Sequence, residues 1–256
     1  MPNPYDVVKQ FEHELAVYTG AKYAVTVTSC TMAILLAVKW HLKNVSKRWQ
    51  CSVCGRRANP GDIFECSRSP CGSVIDPQPG QVEIPNHTYV GVPMSIVNAG
   101  GKPVFRDYKW EAGYQLGTLP VWDYARWFTS DMYKHITASE VLMRHETYPR
   151  GFSKMLCVSF HHSKILGLAA HGGAILHDND EADEWLRRAR FDGRKEGVSP
   201  KDDTFPMIGF HCYMTPATAA EGLMRLSVLP KHNEPLPWGP GTSSDYADLS
   251  KLEVFR

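Results

Sequence analysis

The sequence predicts an α/β fold with a largely parallel sheet. Short apolar segments rich in β-branched residues alternate with segments of helical periodicity along most of the chain, which is the pattern of repeated strand and helix units. With 256 residues, the chain is long enough for one large domain or two small ones with a sizeable core. Its 43% hydrophobic and 21% charged residues are typical of a globular protein.

Composition also limits the classes of partner. The formal net charge is +1, from 28 basic and 27 acidic residues, so the overall charge gives no reason to expect nucleic acid or an anionic membrane surface as a ligand. The longest apolar segments are far shorter than a bilayer span. Residues 1–6 lack the basic and apolar regions of a secretory signal, so we expect a cytoplasmic protein with no membrane partner.

The chain begins with a helix, a strand and a second helix. Apolar residues recur at helical spacing over residues 5–18 and Gly20 ends that segment; residues 22–28 then form a strand, and residues 31–40 are apolar enough for a buried helix. Residues 29–31 connect this strand to the helix, and their free backbone N–H groups suit a phosphate at the positive helix end. Ordinary capping of the helix by Ser and Thr explains these residues equally well.

A cysteine-rich segment, residues 46–82, interrupts the apolar periodicity. Its pattern Cys51-x2-Cys54-x11-Cys66-x4-Cys71 is typical of a tetrahedral zinc site, with disulfides or unpaired thiols as the alternatives. A tetrathiolate site would order this short zinc-ribbon-like insert without a core of its own. The insert is either a structural element or, through its arginines, a contact surface for nucleic acid or another partner.

The main fold resumes after the insert, and we divide the chain into a large domain of residues 1–45 and 83–230, the insert, and a Pro/Gly-rich extended tail of residues 231–256. The large domain continues with further strands and helices. The predicted strands are residues 82–85, 102–105, 119–122, 155–158 and 174–176, and the predicted helices are residues 90–98, 180–190 and 216–229.

Lys164 follows the buried strand of residues 155–158, at the position where α/β sheets place their chemistry. A lysine that is partly desolvated there has a lowered pKa and acts as a nucleophile toward a carbonyl or an aldehyde cofactor. The alternative is a solvated lysine on an ordinary loop. Asp123, Thr31 and Tyr89 also follow predicted strands, so we expect them on the same rim of the sheet as Lys164.

An ordered set of short motifs resembles the DegT-type sugar aminotransferases, which are pyridoxal-phosphate-dependent enzymes of fold type I. The resemblance covers about residues 5–229, apart from the cysteine-rich insert. The motifs are residues 11–25, Thr28-Ser29-Cys30-Thr31-Met32-Ala33, Ile84-Pro85-x-x-Thr88-Tyr89, Gly100-Gly101-Lys102-Pro103-Val104-Phe105-x-Asp107, Asp123-x-Ala125, Ser159-Phe160-His161-x-x-Lys164 and Gly172-Gly173.

The resemblance implies a three-layer α/β/α large domain and a role for each motif. Lys164 is expected to form a Schiff base with pyridoxal 5'-phosphate and to carry a proton between the substrate carbon and the cofactor. Asp123 is expected to pair with the pyridinium nitrogen, and Tyr89 to stack on the ring. The residues expected to hold the phosphate are Cys30, Thr31 and Ser159.

The sequence departs from the family pattern near the cofactor. Cys30 occupies a position that is usually Gly, where its side chain crowds the approach to the backbone. Arg126 stands where Gln or His is common; it contacts the cofactor oxygen, binds a substrate carboxylate or phosphate, or has only a structural role.

Two further departures concern the substrate side. His211 either replaces the family Asn that reaches the neighbouring subunit's cofactor or is a packed core or interface histidine, and Tyr213 replaces an Arg that contacts substrate. The family also continues into a small carboxyl-terminal domain of about a hundred residues. We therefore expect much of the usual substrate pocket wall to be missing or supplied by another chain.

Three functions agree with these observations. The first is a pyridoxal-phosphate-dependent aminotransferase that interconverts a keto or aldehyde group and an amine, with glutamate as the amino donor and a homodimer with shared active sites. The second is a lyase, decarboxylase or aldolase with the same cofactor. The third is a non-catalytic zinc-bearing binding module on the same scaffold, and contact with nucleic acid through the insert is a weaker extension of these ideas.

Overall fold

The computed structural model describes residues 3–43, 80–135, 154–237 and 246–255. The four cysteines of the predicted zinc site lie outside these ranges. In the described residues the helices are α1 (Asp6–Thr19), α2 (Cys30–Lys43), α3 (Gly91–Asn98), α4 (Met132–His135), α5 (Asp180–Arg190) and α6 (Pro216–Val228). The strands are β1 (Tyr23–Val27), β2 (Gln81–Pro85), β3 (Lys102–Arg106), β4 (Tyr114–Gln115), β5 (Val121–Tyr124), β6 (Met155–Ser159) and β7 (Gly173–His177). Short 3-10 helices occur at Pro200–Asp202, Leu249–Lys251 and Glu253–Phe255.

The described strands form two sheets. The larger has the order β1-β7-β6-β5-β4, in which β5 and β6 are parallel and the other neighbouring pairs are antiparallel. The smaller consists of the parallel pair β2 and β3. The α/β class is confirmed, but the prediction of a mostly parallel sheet is wrong for the larger sheet. Alternating strands and helices give parallel strands only where a helix makes the crossover; β6 returns to β7 through a turn, so the two strands run in opposite directions.

Helices cover both faces of the larger sheet, which gives the predicted three layers. Alternate residues of each central strand point to opposite faces. Cys157 and Ile175 join one apolar cluster with α2, α3 and α5, whereas Val158 and Leu176 join a second cluster with α1 and α6. The central strands β6 and β7 are buried at every residue. Consequently, each side chain of these strands is covered by the helical layer that it faces.

A buried ion network joins α1, β1 and α5. Glu12 is only 4% exposed and accepts hydrogen bonds from the Thr26 N–H at 2.9 Å and the Thr26 hydroxyl at 2.7 Å. The Arg190 guanidinium donates to Glu12, and Arg187 Nη1 lies 2.6 Å from Glu12 Oε2. Burial alone raises the pKa of Glu12, but the two guanidiniums lower it below its usual value. The basic end of α5 is therefore part of the core, in addition to complementing the helix dipole.

The first residues of the tail lie against the helices and loops that surround the larger sheet. The Tyr18 hydroxyl donates to the Pro230 carbonyl at 2.6 Å, and Trp127 Nε1 donates to the Asn233 carbonyl at 2.9 Å. Residues 230–237 contain no helix or strand and lie against α1 and the segment after β5. In the described part of the chain, no helix is long and apolar enough to cross a membrane.

Candidate active site

Asp123 is the third residue of β5 and lies beside Cys157 of β6. Its side chain is buried, and Oδ1 accepts a hydrogen bond from the Ala125 N–H at 2.9 Å. Burial raises the pKa of Asp123, although Ala125, Tyr114 and Lys164 each oppose that change. Asp123 was expected just after a strand; its place within the strand gives a buried carboxyl whose charged form is held by oriented donors and a nearby ammonium.

Tyr114 completes the hydrogen-bonding chain behind this carboxyl. Its hydroxyl lies 2.7 Å from Thr88 Oγ1 and also hydrogen-bonds Asp123. Burial raises the pKa of Tyr114 well above its ordinary value, and the Asp123 charge adds to this effect, so the phenol remains a hydrogen-bond donor. Tyr114 carries no periodic signal in the sequence, because β4 has only two residues. Thr88 belongs to the motif Ile84-Pro85-x-x-Thr88-Tyr89, but the sequence predicts no role for it.

Lys164 lies on the turn after β6 and is partly buried. Its N–H donates to the His161 carbonyl at 2.8 Å, which fixes the turn. Burial lowers the pKa of Lys164, and the Arg126 charge lowers it further, whereas Asp123 and Cys30 act in the opposite direction. The lysine is therefore not a solvated loop residue: its amine lies within electrostatic reach of Asp123 and is more easily deprotonated than an ordinary lysine.

The amino-terminal end of α2 forms another side of the site. Ser29 caps the helix, since its Oγ accepts from the Met32 N–H at 3.2 Å and its carbonyl accepts from the Ala33 N–H at 3.0 Å. The first-turn N–H groups of Cys30 and Thr31 have no acceptor within the helix. Capping and anion binding, which were alternatives at the level of sequence, are therefore compatible here: Ser29 supplies the cap, and the next two residues carry N–H groups that the helix itself does not use.

The Cys30 side chain does not block this helix end. It is packed in the apolar cluster beneath α2, close enough to Asp123, Cys157 and Lys164 for their charges to affect its titration. Burial raises the pKa of the Cys30 thiol well above its usual value, so it is protonated at neutral pH. Cys30 thus replaces a glycine while its thiol points toward the core.

Gly173 and Gly91 allow other groups to approach the same helix end. A Cβ atom on Gly173 would lie 2.5 Å from the Cys30 nitrogen, which places the start of β7 directly against α2. A Cβ on Gly91 would lie 3.0 Å from Thr31 Oγ1 and 2.7 Å from Tyr89 Cε1. The Tyr89 ring is therefore close to Thr31, and with 56% of the residue exposed its surface is accessible to a ligand.

Arg126 connects the site to the tail. It is 8% exposed, and its Nη2 donates to the Pro237 carbonyl at 2.9 Å and to the Leu236 carbonyl at 3.2 Å. It also hydrogen-bonds the Tyr246 side chain. Its charge affects the titration of Lys164. Arg126 is therefore an inward guanidinium beside the lysine, held in place by tail carbonyls.

Tyr246 was missed by the sequence analysis. Burial raises the pKa of Tyr246, and the charges of Arg126 and Asp123 also act on it. Its carbonyl lies 2.8 Å from His87 Nδ1, and the Leu249 N–H donates to the Asn86 carbonyl at 2.9 Å, which attaches residues 246–255 to the end of β2. The tail contains three aromatic residues, Trp238, Tyr246 and Phe255, and the sequence does not distinguish Tyr246 from the other two.

Ser159 and His211 are placed differently. Ser159 is buried, pairs with Gly173 and accepts from the His161 N–H at 3.4 Å, so it adjoins the α2 end of the site. His211 is largely exposed, and its Nδ1 lies 2.8 Å from Asp192 Oδ2. His211 contacts Asp192 and the Tyr213 ring, and its backbone forms an antiparallel bridge with Phe191.

Comparison with known proteins gives a family and a fold. The sequence model of the DegT/DnrJ/EryC1/StrS aminotransferase family matches residues 2–48 and 150–235. No curated protein sequence matches significantly. Among solved structures, DesV of S. venezuelae in complex with a ketimine intermediate is 22% identical, with a TM-score of 0.55, 87% of this chain covered and 57% of that chain.

Two further structures are similar. NtdA from Bacillus subtilis with bound cofactor PMP is 19% identical over 87% of this chain and 48% of that chain, with a TM-score of 0.54. A DegT DnrJ EryC1 StrS aminotransferase from Brucella abortus is 18% identical over 87% of this chain and 58% of that chain, with a TM-score of 0.56. The likeness confirms the predicted large-domain fold of fold type I, and the chain spans about half to three fifths of the length of these proteins.

Proposed function

Because the chain belongs to the DegT/DnrJ/EryC1/StrS aminotransferase family, we propose that it is a pyridoxal-phosphate-dependent aminotransferase that interconverts a keto or aldehyde group and an amine. One observation carries the proposal: Lys164, with its lowered pKa, lies within electrostatic reach of the buried carboxyl of Asp123. The start of α2 is close to the same pair, because the charges of Asp123 and Lys164 both act on the Cys30 thiol.

The residues fit the cofactor in each of its parts. The first-turn N–H groups of α2 suit a phosphate dianion. Asp123 suits a protonated ring nitrogen, since a cation would compensate the burial that raises the pKa of its carboxyl. The accessible Tyr89 ring suits stacking on an aromatic face. When bound, pyridoxal phosphate supplies an aldehyde that reacts with amines and a ring that accepts electrons from the adjacent carbon.

Asp123 acts by holding a proton on the ring nitrogen. Its carboxylate is oriented by the Ala125 N–H, at 2.9 Å, and by the Tyr114 hydroxyl, so it needs no reorganisation when it binds a cation. Burial between β4 and β6 also excludes water, which strengthens the ion pair. The Thr88 contact at 2.7 Å fixes the tyrosine in turn.

Lys164 acts first as the amine bound to the cofactor and then as a base. A neutral amine is required for both tasks, and burial together with the Arg126 charge favours the neutral form by lowering the pKa of Lys164. With pyridoxal phosphate bound, Nζ of Lys164 would be the group that holds and moves the proton of the substrate carbon. The hydrogen bond from the Lys164 N–H to the His161 carbonyl fixes the turn and keeps the lysine near the carboxyl end of β6.

Arg126 and Tyr246 form the substrate side of the proposed site. We assign Arg126 to a carboxylate or phosphate of the substrate, because its planar guanidinium is held in position by the Leu236 and Pro237 carbonyls. Glutamate, as an amino donor, offers such a carboxylate. Tyr246 hydrogen-bonds the same guanidinium and limits its movement.

The proposed assembly is a homodimer. The cysteine-rich insert, residues 46–82, is proposed to hold zinc. His211 is exposed and oriented by Asp192, which supports a role toward a second copy rather than toward its own site. The zinc ligands are Cys51, Cys54, Cys66 and Cys71, whose spacing is the support for this part of the proposal.

The test begins with cofactor attachment. Purified protein mixed with pyridoxal phosphate should absorb visible light, and borohydride reduction followed by peptide mass spectrometry should place the modification on Lys164. Lys154→Met is the matched control, because burial lowers the pKa of Lys154 to about 8, which makes it a second reactive lysine. Loss of the absorbance in Lys164→Ala but not in Lys154→Met supports the assignment, whereas a protein that never binds the cofactor overturns it.

The second step separates the reaction classes. Transamination with glutamate leaves pyridoxamine phosphate and a keto acid in equal amounts, in single turnover. A lyase or decarboxylase regenerates the aldehyde cofactor. Conversion to pyridoxamine phosphate with a stoichiometric keto acid therefore supports an aminotransferase, and product release with an unchanged cofactor spectrum replaces that proposal with the lyase.

A further inference from the structure

We propose that His161, His162 and His171 form a binding site for a divalent transition-metal ion, separate from the cysteine-rich insert. One ligand nitrogen from each of the three imidazoles lies within 4.8 Å of the other two. In the described residues this is the one group of three or more metal-binding side chains so close together. The inference does not depend on the proposed aminotransferase activity.

The backbone brings the three histidines together. His161 and His162 follow β6, and His171 precedes β7, so the antiparallel return of the chain places both ends of the loop side by side. The Phe160 N–H donates to the Gly172 carbonyl at 2.8 Å, and the Leu168 N–H donates to the Phe160 carbonyl at 2.8 Å. These hydrogen bonds fix the base of the loop, so the cluster is positioned by the sheet.

His171 has a backbone conformation that is uncommon for its residue type. Its φ is +63°, in the left-handed region that favours glycine. In this conformation its ring lies parallel to that of His161, with centroids 4.7 Å apart and planes at 5°. The His162 ring also contacts the His161 ring, with the two centroids 3.9 Å apart.

The rings need only a small rearrangement to bind one ion. Ligand nitrogens on a tetrahedral zinc ion are about 3.3 Å apart, given a Zn–N bond of about 2.0 Å. Parallel stacked rings do not aim their lone pairs at one point, so one ring must rotate about χ2. His162 and His171 are exposed, which leaves this rotation unhindered.

His161 already has the environment of a metal ligand. Its Nδ1 lies 2.8 Å from the Ser163 hydroxyl oxygen and accepts from the Ser163 N–H at 3.3 Å, so Ser163 occupies Nδ1 and leaves Nε2 for the ion. A hydrogen bond from the second ring nitrogen to a neighbouring oxygen fixes the tautomer and orientation of a ligating histidine. The Ser163 hydroxyl can accept the Nδ1–H once Nε2 binds the metal.

The donor set selects the class of ion. Three imidazole nitrogens suit Zn²⁺, Co²⁺, Ni²⁺ or Cu²⁺ and do not suit Mg²⁺ or Ca²⁺, which prefer oxygen ligands. Three protein ligands also leave a position open for water or for an anionic group. Because Lys164 lies two residues after His162, the metal site and the lysine belong to the same turn.

The test compares metal content in the full chain. His162→Ala combined with His171→Asn removes two imidazoles, and Asn tolerates the left-handed backbone at residue 171. His13→Ala combined with His232→Ala removes two exposed histidines elsewhere and is the matched control. After equilibration with Zn²⁺ and desalting, the first variant should contain one equivalent of zinc less per chain than the control and the parent protein.

Cobalt distinguishes this site from the cysteine pattern. Co²⁺ bound to thiolates has strong ultraviolet charge-transfer bands, whereas Co²⁺ bound to imidazoles has only weak visible bands. The weak bands should disappear in the His162/His171 variant, while any thiolate bands persist. Equal zinc content in all three proteins overturns the proposal. If the double variant is unfolded by circular dichroism, the single His162→Ala variant, at an exposed position, decides by the same two measurements.

Discussion

A single methyl group at Gly173 should disrupt the cofactor end of the proposed site. Gly173 is the first residue of β7, and its Cβ in an Ala variant would lie 2.5 Å from the Cys30 nitrogen and 2.6 Å from the Ser29 carbonyl carbon. Ordinary van der Waals contact of a Cβ begins at 3.4 Å. The first turn of α2 must therefore move by about 1 Å, since neither contact atom belongs to a side chain that can rotate away.

This displacement affects stability and function by different amounts. Overpacking of a filled core costs about 1–3 kcal/mol, which lowers the melting temperature by about 2–12 °C for a chain of this size. A shift of about 1 Å in a group that positions the reacting atoms costs about 100-fold in rate. We therefore expect Gly173→Ala to fold, to bind pyridoxal phosphate more weakly and to lose about 100-fold in kcat/KM.

The matched control is the neighbouring Gly172→Ala variant. A Cβ on Gly172 would meet the terminal Cε of Met214 at 3.0 Å, and a flexible methionine end can move aside. Cofactor titration by absorbance and thermal unfolding should be measured for both variants. If Gly173→Ala binds the cofactor as tightly as Gly172→Ala, the start of α2 is not the phosphate site.

Two further predictions concern buried carboxyl groups. Glu12→Gln leaves Arg190 buried without its charged partner, so we expect a loss of about 3–5 kcal/mol, or about 6–20 °C in melting temperature. Burial raises the pKa of Glu12, but the paired guanidiniums hold it below its unfolded value. The contribution of Glu12 to the free energy of unfolding is therefore present above about pH 4.3 and is lost as the pH falls through the folded-state pKa. Urea unfolding of both proteins from pH 7 to pH 3 checks this prediction, and equal stability of the two proteins at pH 7 contradicts it. Asp123 has the opposite sign: burial raises the pKa of Asp123, so its contribution is lost as the pH rises through that value. Asp123→Asn should therefore raise the melting temperature of the cofactor-free protein at pH 7 while abolishing transamination, and a lower melting temperature in scanning calorimetry argues against this account.

Elements with strong local signals were predicted well from the sequence. The predicted helix of residues 180–190 is α5 itself, because an Asn179 cap, an acidic first turn and a basic last turn mark both ends. The two-residue strand β4 carries no such signal. Strand direction was also missed, since β7 pairs with β1 and β6 through contacts between residues far apart in the chain. Local patterns therefore identified elements but not their pairing.

The candidate site followed the same division. Lys164 and Asp123 were proposed because each follows an apolar segment that the sequence predicts to be a strand. Tyr114 and Tyr246 were not, since their importance depends on packing against Asp123 and Arg126. The buried pair of Glu12 and Arg190 was hidden for the same reason: each looks like a surface residue of an amphipathic helix until the two helices are placed on one sheet.

The position of Arg126 changes the expectation for the substrate side. The sequence suggested that much of the pocket wall is missing or supplied by another chain. Part of a wall is present: residues 230–237 lie beside Arg126, and residues 246–255 bring Tyr246 to the same guanidinium. These segments supply backbone carbonyls to Arg126 and Trp127, and so they hold the arginine in position. A guanidinium positioned in this way supports the proposal that the substrate is recognised at an anionic group.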